Sequence, residues 1–241
     1  MSALLRPGFR REELRSRYAV SSFIEDDWHT YCGEQTAKIV SDHLKTPHSN
    51  SRWLLNAGSG IYELPLESWS VVSIDLFFEP IRNRQLSICA SVEHLPFAAA
   101  TFGGIVCVGE VLGYCDPAKA IPEFARILAP SGKLLLDFGS TFSSRHWFSH
   151  SYGRAADQTV VPYNGSMERI WNYSPAYLAS LLHSYGFEIT NQIGLNGWSA
   201  LLQRLGVSVH SALRIERTLS QILLPKRWAD IMTVVAERAR A

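Results

Sequence analysis

Between Trp53 and Leu136 the chain alternates short, unbroken apolar runs with polar or turn-rich segments. The runs are Trp53-Leu54-Leu55, Val71-Val72-Ser73-Ile74, Leu86-Ser87-Ile88-Cys89, Ile105-Val106-Cys107-Val108 and Leu134-Leu135-Leu136. Apolar runs without in–out alternation mark strands covered on both faces, as in a parallel sheet. Pro117 to Leu128 has helical spacing and stops at Ala129-Pro130-Ser131-Gly132, where Pro cannot continue a helix and Gly supplies the turn. Upstream, Cys32 to Leu44 predicts a helix with Ile39, Val40 and Leu44 on one face, broken from Thr46-Pro47 onward. Downstream, Ser174-Pro175 predicts a helix start, with Ser as cap and Pro at the first position, running to Tyr185 before Gly186. Phe187 to Ile193 predicts a strand, Trp198 to Leu224 a rather hydrophobic helix, and Asp230 to Glu237 a last strand. Strands alternating with crossovers predict an α/β fold with a parallel sheet.

A chain of 241 residues is long enough for one well-packed domain and short for two large ones. With 46% hydrophobic and 19% charged residues it has the composition of a soluble globular protein. The net charge of +1 gives no bias toward nucleic acid or an anionic membrane. The basic excess after residue 200 is modest and spread out, as expected of a solvated face. Cys32, Cys89, Cys107 and Cys115 form no CxxC pair and have no histidine at ligand spacing, so neither a metal site nor a disulfide framework is expected. No apolar stretch follows the early arginines, and no run approaches the ~18 residues of a membrane helix. These features predict a cytoplasmic protein.

The first segment with chemistry in it is Trp53 to Tyr62, an apolar strand running into Asn56-Ala57-Gly58-Ser59-Gly60. Glycines there permit positive φ and close approach of a ligand to the backbone, at the strand end where open α/β sheets bind nucleotides. By itself this loop is equally an ordinary strand-to-helix turn. Val71 to Ile74 then ends in Asp75, an acid placed to accept the hydroxyl hydrogens of a ribose. Two further segments add specificity: Ser91 to Tyr114, containing Glu93-His94-Leu95-Pro96-Phe97, and Arg126 to Phe138, containing Arg126-Ile127-Leu128-Ala129-Pro130-Ser131-Gly132. With these the chain resembles the class I S-adenosylmethionine-dependent methyltransferases over about residues 50 to 138. In that family a D-A-E-x-L-P-F stretch follows the third strand, F-D-x-V opens the fourth, and a helix ending R-x-L-x-P-G-G precedes the fifth.

The resemblance implies a Rossmann-like, mostly parallel seven-stranded sheet with helices on both faces and an antiparallel last strand. It implies S-adenosylmethionine as cofactor and methyl transfer as activity. Asn56, Ala57, Gly58, Ser59 and Gly60 would pass under the amino-acid part of the cofactor, Asp75 would hold the ribose, and Leu76 would lie against the adenine. Ser91, Val92 and Glu93 would flank the adenine edge, and Val108, Gly109 and Glu110 would line the methionine moiety and face the acceptor. The expected organisation is a single domain: a helical cover over 1–49, a cofactor-binding core over 50–138, substrate-side loops and helices over 139–228, and the last strand over 229–241.

The chain departs from the family pattern at Asn56, Ser91 and Gly103, where acids are usual, and its first two crossovers are short. A lost carboxylate weakens binding by ~1–3 kcal/mol where nothing replaces its hydrogen bonds. The stretch from Gly139 to Trp171 is rich in aromatic and polar groups and suits a pocket for a small-molecule methyl acceptor, or equally a surface loop whose aromatics pack on the core. His146 and His150 lie in it and are candidates for a general base by location alone. No metal constellation is visible, and no basic stripe points to a nucleic-acid partner. Two other readings stand beside methyl transfer. One is a non-catalytic cofactor-binding or interaction protein with this fold. The other is a nicotinamide-dependent oxidoreductase, which Glu63 in place of a third glycine disfavours.

Overall fold

In the computed structural model, which describes residues 26–47, 49–64, 66–163, 166–219 and 226–240, the first element among the described residues is a capped helix. The Asp26 carboxylate accepts the His29 N–H at 2.8 Å and starts α1 (Asp27–Leu44) five residues before the expected Cys32. There follow β1 (Trp53–Ala57), β2 (Ser70–Asp75), β3 (Ser87–Cys89), β4 (Phe102–Cys107), α2 (Pro117–Ile127) and β5 (Leu128–Gly139). Then come β6 (Ala156–Tyr163), β7 (Ser166–Tyr173), α3 (Pro175–Ser184), β8 (Phe187–Leu195), α4 (Gly197–Arg204), α5 (Val209–Leu219) and β9 (Ile231–Arg238).

Seven strands form one sheet in the order β3-β2-β1-β4-β5-β9-β8. All neighbours pair in parallel except β9, which runs antiparallel to β5 and β8. This is the Rossmann-like sheet with an antiparallel last strand that the resemblance implied. The apolar runs are unbroken because the central strands are covered twice: every residue of β4 is buried. On one face Leu55, Ile74, Ile105 and Leu134 pack with Ile121 and Phe124 of α2 and Leu178 and Leu182 of α3. On the other, Leu54, Val106, Leu135 and Val235 pack with Ile39, Val40 and Leu44 of α1. Each such side chain contributes about 1.5–3 kcal/mol on full burial.

The early crossovers are as short as expected. Among the described residues no helix joins β1 to β2, and only a single 3-10 turn, Glu79–Ile81, joins β2 to β3. Trp69 fills part of the uncovered face, and its indole N–H donates to the Leu44 carbonyl at 2.6 Å. Two expectations need correction. Trp198 to Leu224 is not one helix: α4 and α5 are separated around Gly206, whose φ of 86° ends α4, and residues 220–225 lie outside the described residues. The segment read as substrate-side loops holds an antiparallel ribbon, β6–β7, bridged to the main fold at Ser140 and Tyr173. Of the expected cover over 1–49, residues 1–25 also lie outside the described residues. All four cysteines are free thiols, and among the described residues no helix is long and apolar enough to cross a membrane.

Candidate cofactor and acceptor site

The carboxyl ends of β1, β2, β4, β5 and β8 and the amino end of β9 lie along one edge of the sheet. There β1 releases the chain into Gly58 and Gly60, with φ of 69° and 48°. The Gly58 and Ser59 N–H groups both donate to the Ile74 carbonyl at 2.9 Å, so the loop folds back over the end of β2. Gly60 N–H donates to Asp75 Oδ2 at 2.9 Å and Phe77 N–H to Oδ1 at 3.1 Å. Burial pushes the Asp75 carboxyl above its ordinary value, against these amide bonds and the charge of Arg84. The Leu76 amide also bonds this carboxylate, and the acceptor capacity left on its oxygens can serve a hydroxyl. Arg84 braces the loop from outside, donating through Nη2 to the Gly60 carbonyl at 3.1 Å. Asn56 is buried, and its amide donates to the Tyr62 carbonyl at 3.2 Å, closing the same loop. Ser59 Oγ is buried without a hydrogen-bond partner. Leu76 is half-buried beside Asp75.

The loop after β3 is held by the motif that precedes β5. Glu123 Oε2 accepts the Leu95 N–H at 2.7 Å, while Arg126 donates to the Phe97 and Leu95 carbonyls at 2.6 and 2.9 Å. Within the loop, Ser91 Oγ accepts the Glu93 N–H at 3.2 Å and Val92 is buried in the core. Glu93 is committed to the fold: its carboxylate accepts the Asp116 N–H at 2.7 Å and faces Lys119 at 3.7 Å. Gly103 stands where the family has an acid because a Cβ there would collide with the Ser51 carbonyl.

After β4, Gly109 and Glu110 are successive left-handed residues, φ 84° and 59°. Asp137 clamps both, Oδ2 accepting the Gly109 N–H at 2.9 Å and Oδ1 the Glu110 N–H at 2.8 Å. A Cβ on Gly109 would meet nothing within 4 Å, so the backbone borders open space. Val108 instead packs against the α1-side core. Burial pushes the Asp137 carboxyl up to about 6; burial and the neighbouring Asp137 and Asp230 push Glu110 up to about 8.

Beside Glu110, Arg145 grips Asp230 through Nη2 at 2.6 Å and Nε at 3.1 and 3.2 Å, and Ser143 Oγ donates to Asp230 at 2.8 Å. Burial opposes the Asp230 charge, yet Arg145 and Ser143 hold its carboxyl below the ordinary value. Of the two candidate histidines, His146 sits buried next to this pair and burial holds its imidazole below the usual range. His150 is 81% exposed, with Nε2 3.9 Å from the Asp157 carboxylate. The sequence reading missed Asp137, Asp230 and Asn172 of the ribbon. Asp137 carries the signature that singled out Asp75, an acid ending an apolar run.

A family model for the methyltransferase domain matches residues 55–136. Among curated proteins, a malonyl-[acyl-carrier protein] O-methyltransferase from Herminiimonas arsenicoxydans is 30% identical over 123 residues, 49% of this chain and 43% of that one. The chain spans less than half the length of the curated relatives it matches. Among solved structures, a Burkholderia thailandensis 1,6-didemethyltoxoflavin-N1-methyltransferase with bound 1,6-didemethyltoxoflavin and S-adenosylhomocysteine superposes with a TM-score of 0.60. It is 16% identical, over 95% of this chain and 87% of that one. A [4+2]-cyclase superposes with a TM-score of 0.58 at 15% identity, over 95% and 93%. At such identities the likeness speaks for the fold alone, and the cyclase shows that one fold hosts more than one chemistry. The matched segment carries the glycine loop, the strand-end Asp75 and the interlocked Leu95-Pro96-Phe97 and Arg126 segments, and over about a third of its length the chain is similar to the methyltransferase domain.

Proposed function

We propose that this chain transfers the methyl group of S-adenosylmethionine to a small-molecule acceptor. The observation that carries this reading is the glycine loop bonded to Asp75, with Ser59 Oγ buried and unpartnered in it. A buried hydroxyl without a partner is costly, and a polar ligand on the loop would relieve it. The acceptor capacity left on Asp75 fits a ribose hydroxyl, and the open space beside Gly109 leaves room for the cofactor's tail. On this reading Asn56 to Gly60, Asp75, Leu76, Ser91 to Glu93 and Val108 to Glu110 hold the cofactor, Val92, Glu93 and Val108 through backbone groups. When bound, S-adenosylmethionine supplies a methyl group on a sulfonium, an electrophile that needs positioning more than activation.

A small acceptor is supported by the toxoflavin precursor bound in the Burkholderia structure and by the near-neutral charge of this chain. Calorimetric titration with S-adenosylmethionine and S-adenosylhomocysteine tests the reading: micromolar binding is expected, and no binding of either at millimolar concentration would sink it. A non-catalytic member of the family is the second reading, favoured by Ser91 and Gly103 in place of acids. It predicts cofactor binding with no methyl transfer to any acceptor. A nicotinamide enzyme would bind NAD(H) in the same titration.

A further inference from the structure

We propose that Glu110 takes the proton of the methyl acceptor, which restricts the acceptor to a nucleophile bearing hydrogen on nitrogen or oxygen. The inference rests on the methyl-transfer reading above. Glu110 is left-handed although it carries a side chain, a conformation that costs about 1–2 kcal/mol and persists here because Asp137 holds its N–H. That backbone turns the side chain across the end of β5. Oε1 lies 2.9 Å from where a Cβ on residue 139 would stand, and the Asn172 side-chain oxygen reaches the same point. Gly139 is therefore the residue that leaves room for the two groups to converge.

The neighbouring polar groups are already committed. Asp137 holds two amides, Asp230 holds Arg145 and Ser143, and the Asn172 amide donates to Thr159 Oγ1 at 2.7 Å. Among the described residues nothing donates a hydrogen bond to the Glu110 carboxyl, so it is the acid of this group left to serve a ligand. The charges facing it are Asp137 from β5 and Asp230 before β9, which oppose its ionisation, and Arg145 after β5, which favours it. Cys32 of α1 lies nearby as a neutral thiol, pushed far up by burial. Among the described residues no three His, Cys, Asp or Glu groups are placed to share a metal ion. A carboxyl titrating near 8 gains and loses a proton close to neutral pH, as a general base must.

In the step, the acceptor heteroatom bonds to the methyl carbon as the carbon–sulfur bond breaks and its electron pair stays on sulfur. The acceptor's proton passes to the Glu110 carboxylate. A cationic sulfonium, a neutral acceptor and a carboxylate become a neutral thioether, a neutral methylated product and a carboxylic acid. A net-negative surround also disfavours acceptors whose reacting end is itself a phosphate or carboxylate.

The test uses the full chain with glutamate labelled with carbon-13 at Cδ, and Glu110→Gln to assign the resonance; Glu110→Asp serves if that variant does not fold. The Glu110 signal is expected to titrate near pH 8. With S-adenosylhomocysteine bound, imidazole and phenol are expected to shift that signal and lower its midpoint, while N-methylimidazole and anisole are not. A midpoint in the ordinary carboxylate range overturns the inference, as does an unmoved signal with imidazole and phenol or an equal response to the methylated pair. If S-adenosylhomocysteine does not bind the unaltered chain, the methyl-transfer reading fails; if it binds and Glu110 does not respond, this inference fails alone.

Discussion

Asp75 accepts the Gly60 amide proton at 2.9 Å, so the acid at the tip of β2 and the glycine loop after β1 form one structural unit. Asp75→Ala removes both the proposed acceptor for a ribose and the brace that shapes the loop. No detectable S-adenosylhomocysteine binding is expected in calorimetry, with the far-UV circular dichroism of the fold retained. Asp75→Asn is expected to fail as well, because its NH2 would face the N–H of Gly60 or Phe77. Near-normal affinity in either variant would place the ribose elsewhere.

The buried carboxyls make stability depend on pH in an unusual direction. Glu110 and Asp137 have ordinary values of 4.5 and 3.8 and are raised in the folded chain to about 8 and about 6. A raised folded value means the native state holds a proton that the unfolded chain has lost. The stabilisation is complete below the ordinary values and fades as pH rises through the folded ones. Urea midpoints should therefore fall from pH 4.5 toward 8, both groups contributing up to about 6 and Glu110 alone above it. The slope approaches about 1.4 kcal/mol per pH unit for each titrating group. Glu110→Gln should flatten the part above pH 6, and an unchanged slope there would show that Glu110 is solvated. Asp230 shifts the other way, so its contribution is lost only in acid.

How much of this was legible follows from what each residue touches. β4 is buried along its whole length, and an apolar run is the direct trace of that environment. The β6–β7 ribbon leaves a weaker trace: Ile170 and Tyr173 are buried, but Val160 and Met167 are 54% and 61% exposed, and polar contacts such as Tyr114 to Glu168 at 2.8 Å also tie the ribbon to the fold. Asp75 could be read because it ends an apolar run. Glu110 could be placed near the site, but its orientation comes from a left-handed backbone imposed by Asp137, and nothing local to residue 110 encodes that. His146 and His150 are four positions apart in sequence with similar surroundings in it, yet the 3-10 turn at Ser144–His146 buries one and leaves the other in solvent.

Arg126 shows why the Leu95-Pro96-Phe97 and Arg126 segments occur together. Its guanidinium joins Glu123 and two carbonyls of the loop after β3, a fork that a lysine ammonium cannot reproduce. Arg126→Met is expected to cost about 1–2 kcal/mol in urea unfolding, since the contacts are partly exposed. It should also weaken S-adenosylhomocysteine binding several-fold by freeing Ser91 to Leu95. Arg126→Lys should fall between. Loss of stability with unchanged affinity would separate the loop from the cofactor.

Gly58 and Val111 approach closely in the glycine loop. A Cβ on Gly58 would stand 2.5 and 2.8 Å from the two Val111 methyls, at a φ of 69° that favours glycine. Gly58→Ala therefore meets two separate penalties, backbone strain of about 1–2 kcal/mol and a collision with a branched side chain. It is expected to abolish S-adenosylhomocysteine binding and lower the urea midpoint. Adding Val111→Ala relieves the collision and leaves the strain, so the double variant should regain part of the stability that Gly58→Ala loses relative to Val111→Ala alone. Full recovery would mean the left-handed turn costs alanine nothing here, and no recovery would mean the loss is all strain. Binding distinguishes the functional use of the glycine from its structural one: if affinity returns with the double variant, the loop needs only space, whereas continued loss shows that the glycine backbone itself must lie against the ligand.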